Sequence, residues 1–249
     1  MSDLHPGYPK AQSQAEAVDL GLRGYMLGIY NKVGLGLLLA AAIAYATATV
    51  PWLRDLLFRT GPHGAHRVTM TFLGSMAAFG PVFLLLGSGF ALRKPTPLRT
   101  GALYWSVVSL VGASLGVLFL SFTGASIVTT LAVSALGFGG LSLIGYATDR
   151  NLTALGSFLT MGLIGLVLTL AANLVLGSPA INYAIGVIGV AIFAGLIAYD
   201  TQRLKLNYYQ LGGEDASLAV ATNFGALSLF INFVNLFQFL LTLVSGQRR

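Results

Sequence analysis

No cysteine occurs among the 249 residues, and charged residues make up only 9% of them. The first absence excludes disulfides, thiol catalysis and thiolate metal sites. The second excludes a water-soluble domain, which usually carries about 25% charged residues. The formal charge is +6, yet the lysines and arginines are scattered between apolar segments and form no patch with interleaved aromatics. No nucleic-acid partner is expected, and the basic residues read as markers of loops held on the cytoplasmic side. Residues 1–32 lack an apolar core with a small-residue cleavage site, so no removable signal peptide is expected. Apolar/polar alternation is also missing, which argues against a membrane β-barrel.

What the chain has in abundance is apolar sequence. Apolar residues make up 55% of it, with 31 glycines among the rest, and the mean hydropathy is +0.78. Such a composition suits closely packed membrane helices, whose backbones approach where side chains are small. Crossing a bilayer takes about 20 predominantly apolar residues in a helix. Seven segments satisfy this: 33–52, 68–92, 102–122, 125–147, 153–176, 180–202 and 218–244. Pro51, Pro62, Pro95 and Pro97 fall in connections or at span ends, and Gly177-Ser178-Pro179 separates the fifth span from the sixth. Tyr30, Trp52, Tyr104, Trp105, Tyr146, Tyr183 and Tyr199 lie near the proposed ends, where an interfacial aromatic belt belongs.

The expected fold class is therefore an all-α integral membrane protein, a bundle of seven transmembrane helices in the lipid bilayer. Residues 1–32 are expected as a cytoplasmic tail, 33–244 as the transmembrane domain and 245–249 as a short C-terminal tail. Within the first tail, Ala15, Val18, Leu22, Met26 and Ile29 recur at helical spacing. They predict an amphipathic helix lying along the membrane surface. With the N-terminus in the cytoplasm, nine Lys and Arg side chains fall on that side and five on the other, the distribution the positive-inside rule favours. The absence of cysteine, signal peptide and large soluble domains fits a bacterial inner membrane.

The stretch LIAYDTQRLK, residues 196–205, carries the sharpest question. If the sixth span ends at Tyr199, Asp200 meets water and pairs with Arg203 on the same helix face. A carboxylate at a helix C-terminus is disfavoured by the macrodipole, however. If the helix continues, Asp200 is an intramembrane carboxylate, which by default suggests an ion or proton site. In the last span Ser228, Asn232, Asn235 and Thr242 share one helical arc, with Gln238 at its edge. This face is expected to turn inward, for interhelical hydrogen bonds or for a polar interior. The candidate ion-pathway residues are thus Asp200, Asn232, Asn235, Ser228 and Arg203. Asp200 is also the one weak metal ligand, since calcium prefers several hard oxygen ligands.

Enzymatic readings find no support. Tyr199-Asp200 resembles the Tyr-Asp pair of intramembrane aspartyl proteases, but the nearest second acids, Asp149 and Asp215, fall in expected loops. His5, His63 and His66 all lie outside the spans, which removes a serine–histidine dyad, and a solvated Gly/Pro loop suits His63 and His66 better than a zinc site. No glycine-rich nucleotide motif sits at a strand–helix junction. No cofactor is expected. The small-residue pairs Gly112/Gly116 and Ala191/Gly195 fit packing within the chain or contact with a partner.

Taken together, FGGLSLIGYATDRNLTALGSFLTMGLIGLV, IGVIGVAIFAGLIAYDTQRLK, the early RGYMLGIYNKVGLGL and the late GALSLFINFVNLFQFLL resemble the Bax inhibitor-1 family, including its bacterial YccA-like members. The resemblance runs from about Arg23 to Val244 and is weakest across 51–100. It implies a seven-helix bundle with six helices around the last. It also implies a pH-dependent calcium leak, a role in suppressing stress or cell death, and in some members modulation of a membrane-bound protease. In such proteins an aspartate of the sixth span shares a proton with one of the seventh, because two adjacent carboxylates cannot both ionise comfortably. The first aspartate corresponds to Asp200. At the position of the second, where the family shows a LYLDFINLF-like stretch, this chain reads LFINFVNLF and places Asn232. Asparagine cannot titrate, so any pH dependence is expected to be weaker or displaced. The interior of the second span holds no arginine to match the latch-like arginine of some members.

Overall fold

The computed structural model describes residues 8–60, 68–91, 94–212 and 214–246. Within them the chain forms eight helices and one small hairpin: α1 (Tyr8–Thr49), α2 (Pro51–Leu57), β1 (Phe58–Thr60), β2 (Val68–Met70), α3 (Phe72–Ala91), α4 (Pro97–Ser121), α5 (Gly124–Ala147), α6 (Thr153–Leu176), α7 (Pro179–Leu211) and α8 (Asp215–Gly246). Seven of the helices, all but α2, are long and apolar enough to cross a membrane. The connections α3–α4, α5–α6 and α7–α8 share one end of the bundle, called here the proximal end. The hairpin and the connections α4–α5 and α6–α7 share the distal end.

Local chemistry sets the helix boundaries. Thr96, Thr123 and Ser178 each accept a hydrogen bond from a backbone N–H in the first turn of α4, α5 and α7, the N-cap role in which short hydroxyl side chains excel. Pro97 and Pro179 follow two of these caps, where a missing N–H costs nothing. Gly177 (φ 62°) and Gly212 (φ 61°) end α6 and α7 in the left-handed region, which L side chains rarely adopt.

Three expected boundaries are corrected. The surface helix expected before Val33 does not exist as a separate element, because α1 runs unbroken from Tyr8 to Thr49. Leu22, Met26 and Ile29 are buried in the bundle core beside Val107, Leu229 and Phe230; their helical spacing marks a packed face, not a membrane-facing one. The second span begins at Phe72 instead of 68, since Val68–Met70 pairs antiparallel with Phe58–Thr60. The sixth span continues nine residues past its expected end at Gln202, to Leu211. Beyond Gln202 the helix turns amphipathic, burying Leu204 while Arg203, Lys205 and Asn207 project towards the proximal end. The loop carrying His63 and His66, the N-terminal His5 and residues 247–249 lie outside the described residues.

The last helix is the central one. Half of the apolar window of α8 is buried, against 39% for α7 and 11% for α6. α8 packs mainly on α1, α4, α5 and α7, while α3 leans on α4 and α6 on α7. The expected ring of six around the last helix is thus an inner ring of four with two outriders. In lipid, packing Phe230 against Ile29 removes neither from water, so close contact and polar ties hold such a bundle. Gly112 and Gly116 supply close contact. A Cβ on Gly112 would meet the backbone of Ala40, and one on Gly116 would meet Thr47 and Phe58. Gly195 is likewise covered by Leu159 of α6. Three of the four small residues singled out from the sequence therefore serve packing within the chain, while Ala191 is exposed.

Candidate functional site at Asp200

Asp200 lies inside α7, eleven residues before its end at Leu211. At 1.5 Å per residue it sits about 16 Å from that terminus, which settles the opening ambiguity against a helix end. Its side chain is buried, with 5% relative exposure for the residue. An unpaired carboxylate there would be costly to desolvate, and three groups satisfy it. Oδ2 accepts a short hydrogen bond from Ser228 Oγ and another from Asn232 Nδ2 at 2.8 Å. Oδ1 faces Arg203 Nη2 at 3.2 Å. The spacing of the donors follows from helix geometry: Ser228 and Asn232 are four apart on α8, so they stack on one face and reach the same oxygen. Arg203 stands three residues on from Asp200, and its side chain is 46% exposed. Its guanidinium also lies over the Tyr199 ring, 5.6 Å from the centroid.

The arrangement ties α7 to α8. In a pair of facing aspartates the corresponding bond needs a shared proton. The Asn232 amide supplies a donor whatever the protonation of Asp200, so proton loss does not cut this tie. Asp149 and Asp215 are not among the partners of Asp200. Among the described residues no three His, Cys, Asp or Glu side chains are grouped as a metal site.

The rest of the expected polar stripe does not converge here. Asn235 donates to its own helix at Ile231 O, 2.8 Å away, and Thr242 is exposed. Of the stripe, Ser228 and Asn232 are the residues that reach Asp200. Asn173 accepts from Ser178 N at 3.0 Å at the end of α6 and takes no part in the interior.

Two further polar knots sit at the same end, and the sequence did not announce them. Asn223 of α8, 4% exposed, donates to Pro97 O at 3.0 Å and Thr100 Oγ1 at 2.8 Å, and accepts from Lys32 Nζ. Tyr104 OH donates to Lys32 O at 2.7 Å. Tyr104 is fully buried, so it is a core residue and leaves the expected interfacial belt. Gln202 forms the other knot: Nε2 donates to Arg150 O at 2.7 Å and Thr148 O at 3.3 Å, and Oε1 accepts from Leu152 N at 2.8 Å. The signals were faint: a lone Asn in an apolar helix, a Lys at a span edge, and the Gln of Tyr-Asp-Thr-Gln. Above the Asp200 site opens a cavity of about 680 Å³, bounded by the end of α7 and the starts of α8 and α4, with Arg203 in its wall.

The model of the family described as "inhibitor of apoptosis-promoting Bax1" matches residues 22–249. The chain belongs to the Bax inhibitor-1 family. A Caulobacter vibrioides protein is 55% identical to it over the full length of both chains. A Rickettsia prowazekii protein is 36% identical over 95% of each. The inner membrane protein YbhL of Escherichia coli K12 is 37% identical, covering 92% of this chain and 94% of its own. The family match spans the segment 51–100, where the quoted motifs are weakest, so the hairpin and α3 belong to the same family domain. As a Bax inhibitor-1 family member this is a multi-pass membrane protein whose sixth and last spans meet at Asp200, Ser228 and Asn232.

Proposed function

We propose that the protein is a leak pathway for calcium or another cation in a bacterial inner membrane, with Asp200 as its charge-selective element and a weakened response to pH. The observation that carries this reading is a buried, hydrogen-bonded carboxylate beneath a 680 Å³ cavity at one end of the bundle. Intramembrane carboxylates are expensive and mark ion or proton routes. Asp200, with the oxygens of Ser228 and Asn232, offers a cation a sparse, weak set of hard ligands. For a cation to use them Arg203 swings away, which its half-exposed position permits. Placing the proximal end in the cytoplasm puts Lys10, Arg23, Lys32, Lys94, Arg99, Arg150, Arg203 and Lys205 inside, against Arg54 and Arg59 outside among the described residues. A role in stress or cell-death suppression follows from such a leak, and the reading is non-catalytic.

The test is calcium flux into liposomes across a pH series. Asp200→Asn should lower cation flux at every pH. Asn232→Asp should create a pair sharing one proton, whose tie weakens as pH rises through that proton's titration, and so steepen the pH profile. An unchanged profile for Asn232→Asp would falsify the pairing.

A second reading draws on the same cluster. Asp200 is fully satisfied within its own chain, as suits a structural tie in a regulator that binds a membrane protease or other membrane protein. Purified protein in otherwise empty liposomes separates the two: flux without any partner supports the leak, and silence at every pH supports the regulator.

A further inference from the structure

The cavity at the proximal end has a wall that the leak reading leaves unexplained. Among the described residues its wall holds one cation, Arg203, and one anion, Glu214, with the polar side chains of Thr96, Asn207, Gln210 and Ser217 beside them. Leu204, Val220 and Phe224 give it an apolar side. Its volume of about 680 Å³ falls within the range of about 300–1,000 Å³ typical of small-ligand sites. Glu214 already accepts from Ser217 Oγ at 2.7 Å, in the first turn of α8. Arg203 is differently placed: one Nη reaches Asp200, and a guanidinium has five donors in a fixed fork. Arg203 also lines the cavity, so a half-exposed guanidinium turning from Asp200 to an anion there would offer its fork to paired oxygens.

The charge balance narrows the anion. A dianion would be repelled by Glu214, whereas a singly charged phosphodiester would not be repelled as strongly. A phosphodiester carrying an ammonium group would satisfy Arg203 and Glu214 together. The apolar side then meets the glycerol and first acyl carbons of a lipid. We propose that this cavity binds a zwitterionic phosphodiester, such as a phosphoethanolamine headgroup, through Arg203, and that the ligand competes with Asp200 for that guanidinium.

The consequence is reciprocal. Asp200 and the phosphodiester draw on one cation, so each weakens the other's hold on it by the same factor. Occupying the cavity leaves Asp200 with only its two α8 donors. Binding is measured without any flux, so the site stands or falls independently of the leak.

The experiment titrates detergent-purified full-length protein with glycerophosphoethanolamine and, separately, with dihexanoylphosphatidylethanolamine below its micelle concentration, followed by phosphorus NMR line broadening. Saturable binding of either probe is expected. Equal affinity for both points to a soluble phosphodiester, and preference for the short-chain lipid points to the bilayer. Arg203→Gln should weaken binding by about tenfold or more, the scale of one charged hydrogen bond, and Arg203→Lys by less. Asp200→Asn should tighten binding, because it frees the guanidinium. Glu214→Gln should selectively weaken ethanolamine-bearing probes relative to glycerophosphate monomethyl ester. If Asp200→Asn does not fold, judged by size-exclusion profile and helical dichroism, Arg203→Lys and Glu214→Gln carry the test. No saturable binding, or binding indifferent to Arg203→Gln, overturns the proposal.

Discussion

The two ends of the bundle are held by different physics. At the proximal end, directional bonds join separate helices: Ser228 and Asn232 to Asp200, Asn223 to Lys32, Pro97 and Thr100, Gln202 to the α5–α6 connection, and Lys205 Nζ to Tyr146 O at 3.0 Å. Towards the distal end the same central helix offers Phe233, Phe237 and Leu241, which close on Ile127 of α5 with Leu118 of α4 and Phe122, just past its end, alongside. Leu241 lies nine residues beyond Asn232 on α8, about 13 Å further through the membrane. The comparison teaches that a carboxylate alone does not make an open route. If Asp200 does serve a cation, the apolar cluster beyond it is the next barrier, of the kind that gates by wetting and dewetting.

The comparison breaks most visibly at the seal. Phe237→Ala should cost about 3–5 kcal/mol if the cavity stays empty, read as a lower midpoint in detergent unfolding. It should raise basal calcium flux in liposomes, whereas a merely destabilised protein would lose flux. Next comes the polar end: Asn232→Ala removes one of two donors to Oδ2 of a buried carboxylate and should cost about 1–3 kcal/mol. If it costs nothing, water replaces the Asn232 donor and Ser228 alone carries the polar tie between α7 and α8. Smallest is Asn223→Ala, on the scale of interhelical hydrogen bonds in lipid, about 0.6–1.7 kcal/mol. Lys32 can still turn towards solvent, so flux should stay within twofold or so of wild type. A larger loss would make the Lys32 knot part of the pathway.

How much of this was legible depended on whether the cause was local. α6 was read as 153–176 and found as Thr153–Leu176, because Asp149-Arg150-Asn151 and Gly177-Ser178-Pro179 punctuate it on both sides. Helical spacing paired Arg203 with Asp200 and put Ser228 and Asn232 on one polar arc, and the resemblance implied that Asn232 faces Asp200. The hairpin was hidden, since three-residue strands are too short for alternation to show. The full length of α7 was hidden as well, because a hydropathy reading stops where lysine and arginine begin, although hydrogen bonding along the helix does not. Asn223 was missed and Tyr104 misplaced for a different reason. Each lies on a helix whose neighbours, Lys32 and Thr100, are set by the fold, and no periodicity within one segment carries that information.

Gln202 has a mechanical meaning. By accepting from one backbone group of the α5–α6 connection and donating to two others, it couples that connection to α7 just two residues from the carboxylate. Gly145 of α5 lies flush against the Ala198 carbonyl, and the Tyr199 ring covers Gly156 of α6. α5, α6 and α7 are therefore held against one another at the level of Asp200. A rotation of α7 large enough to bare Asp200 would sweep the α5–α6 connection across the membrane surface, so that the site's state is displayed at Asn151, where a partner or a label can read it without entering the bilayer.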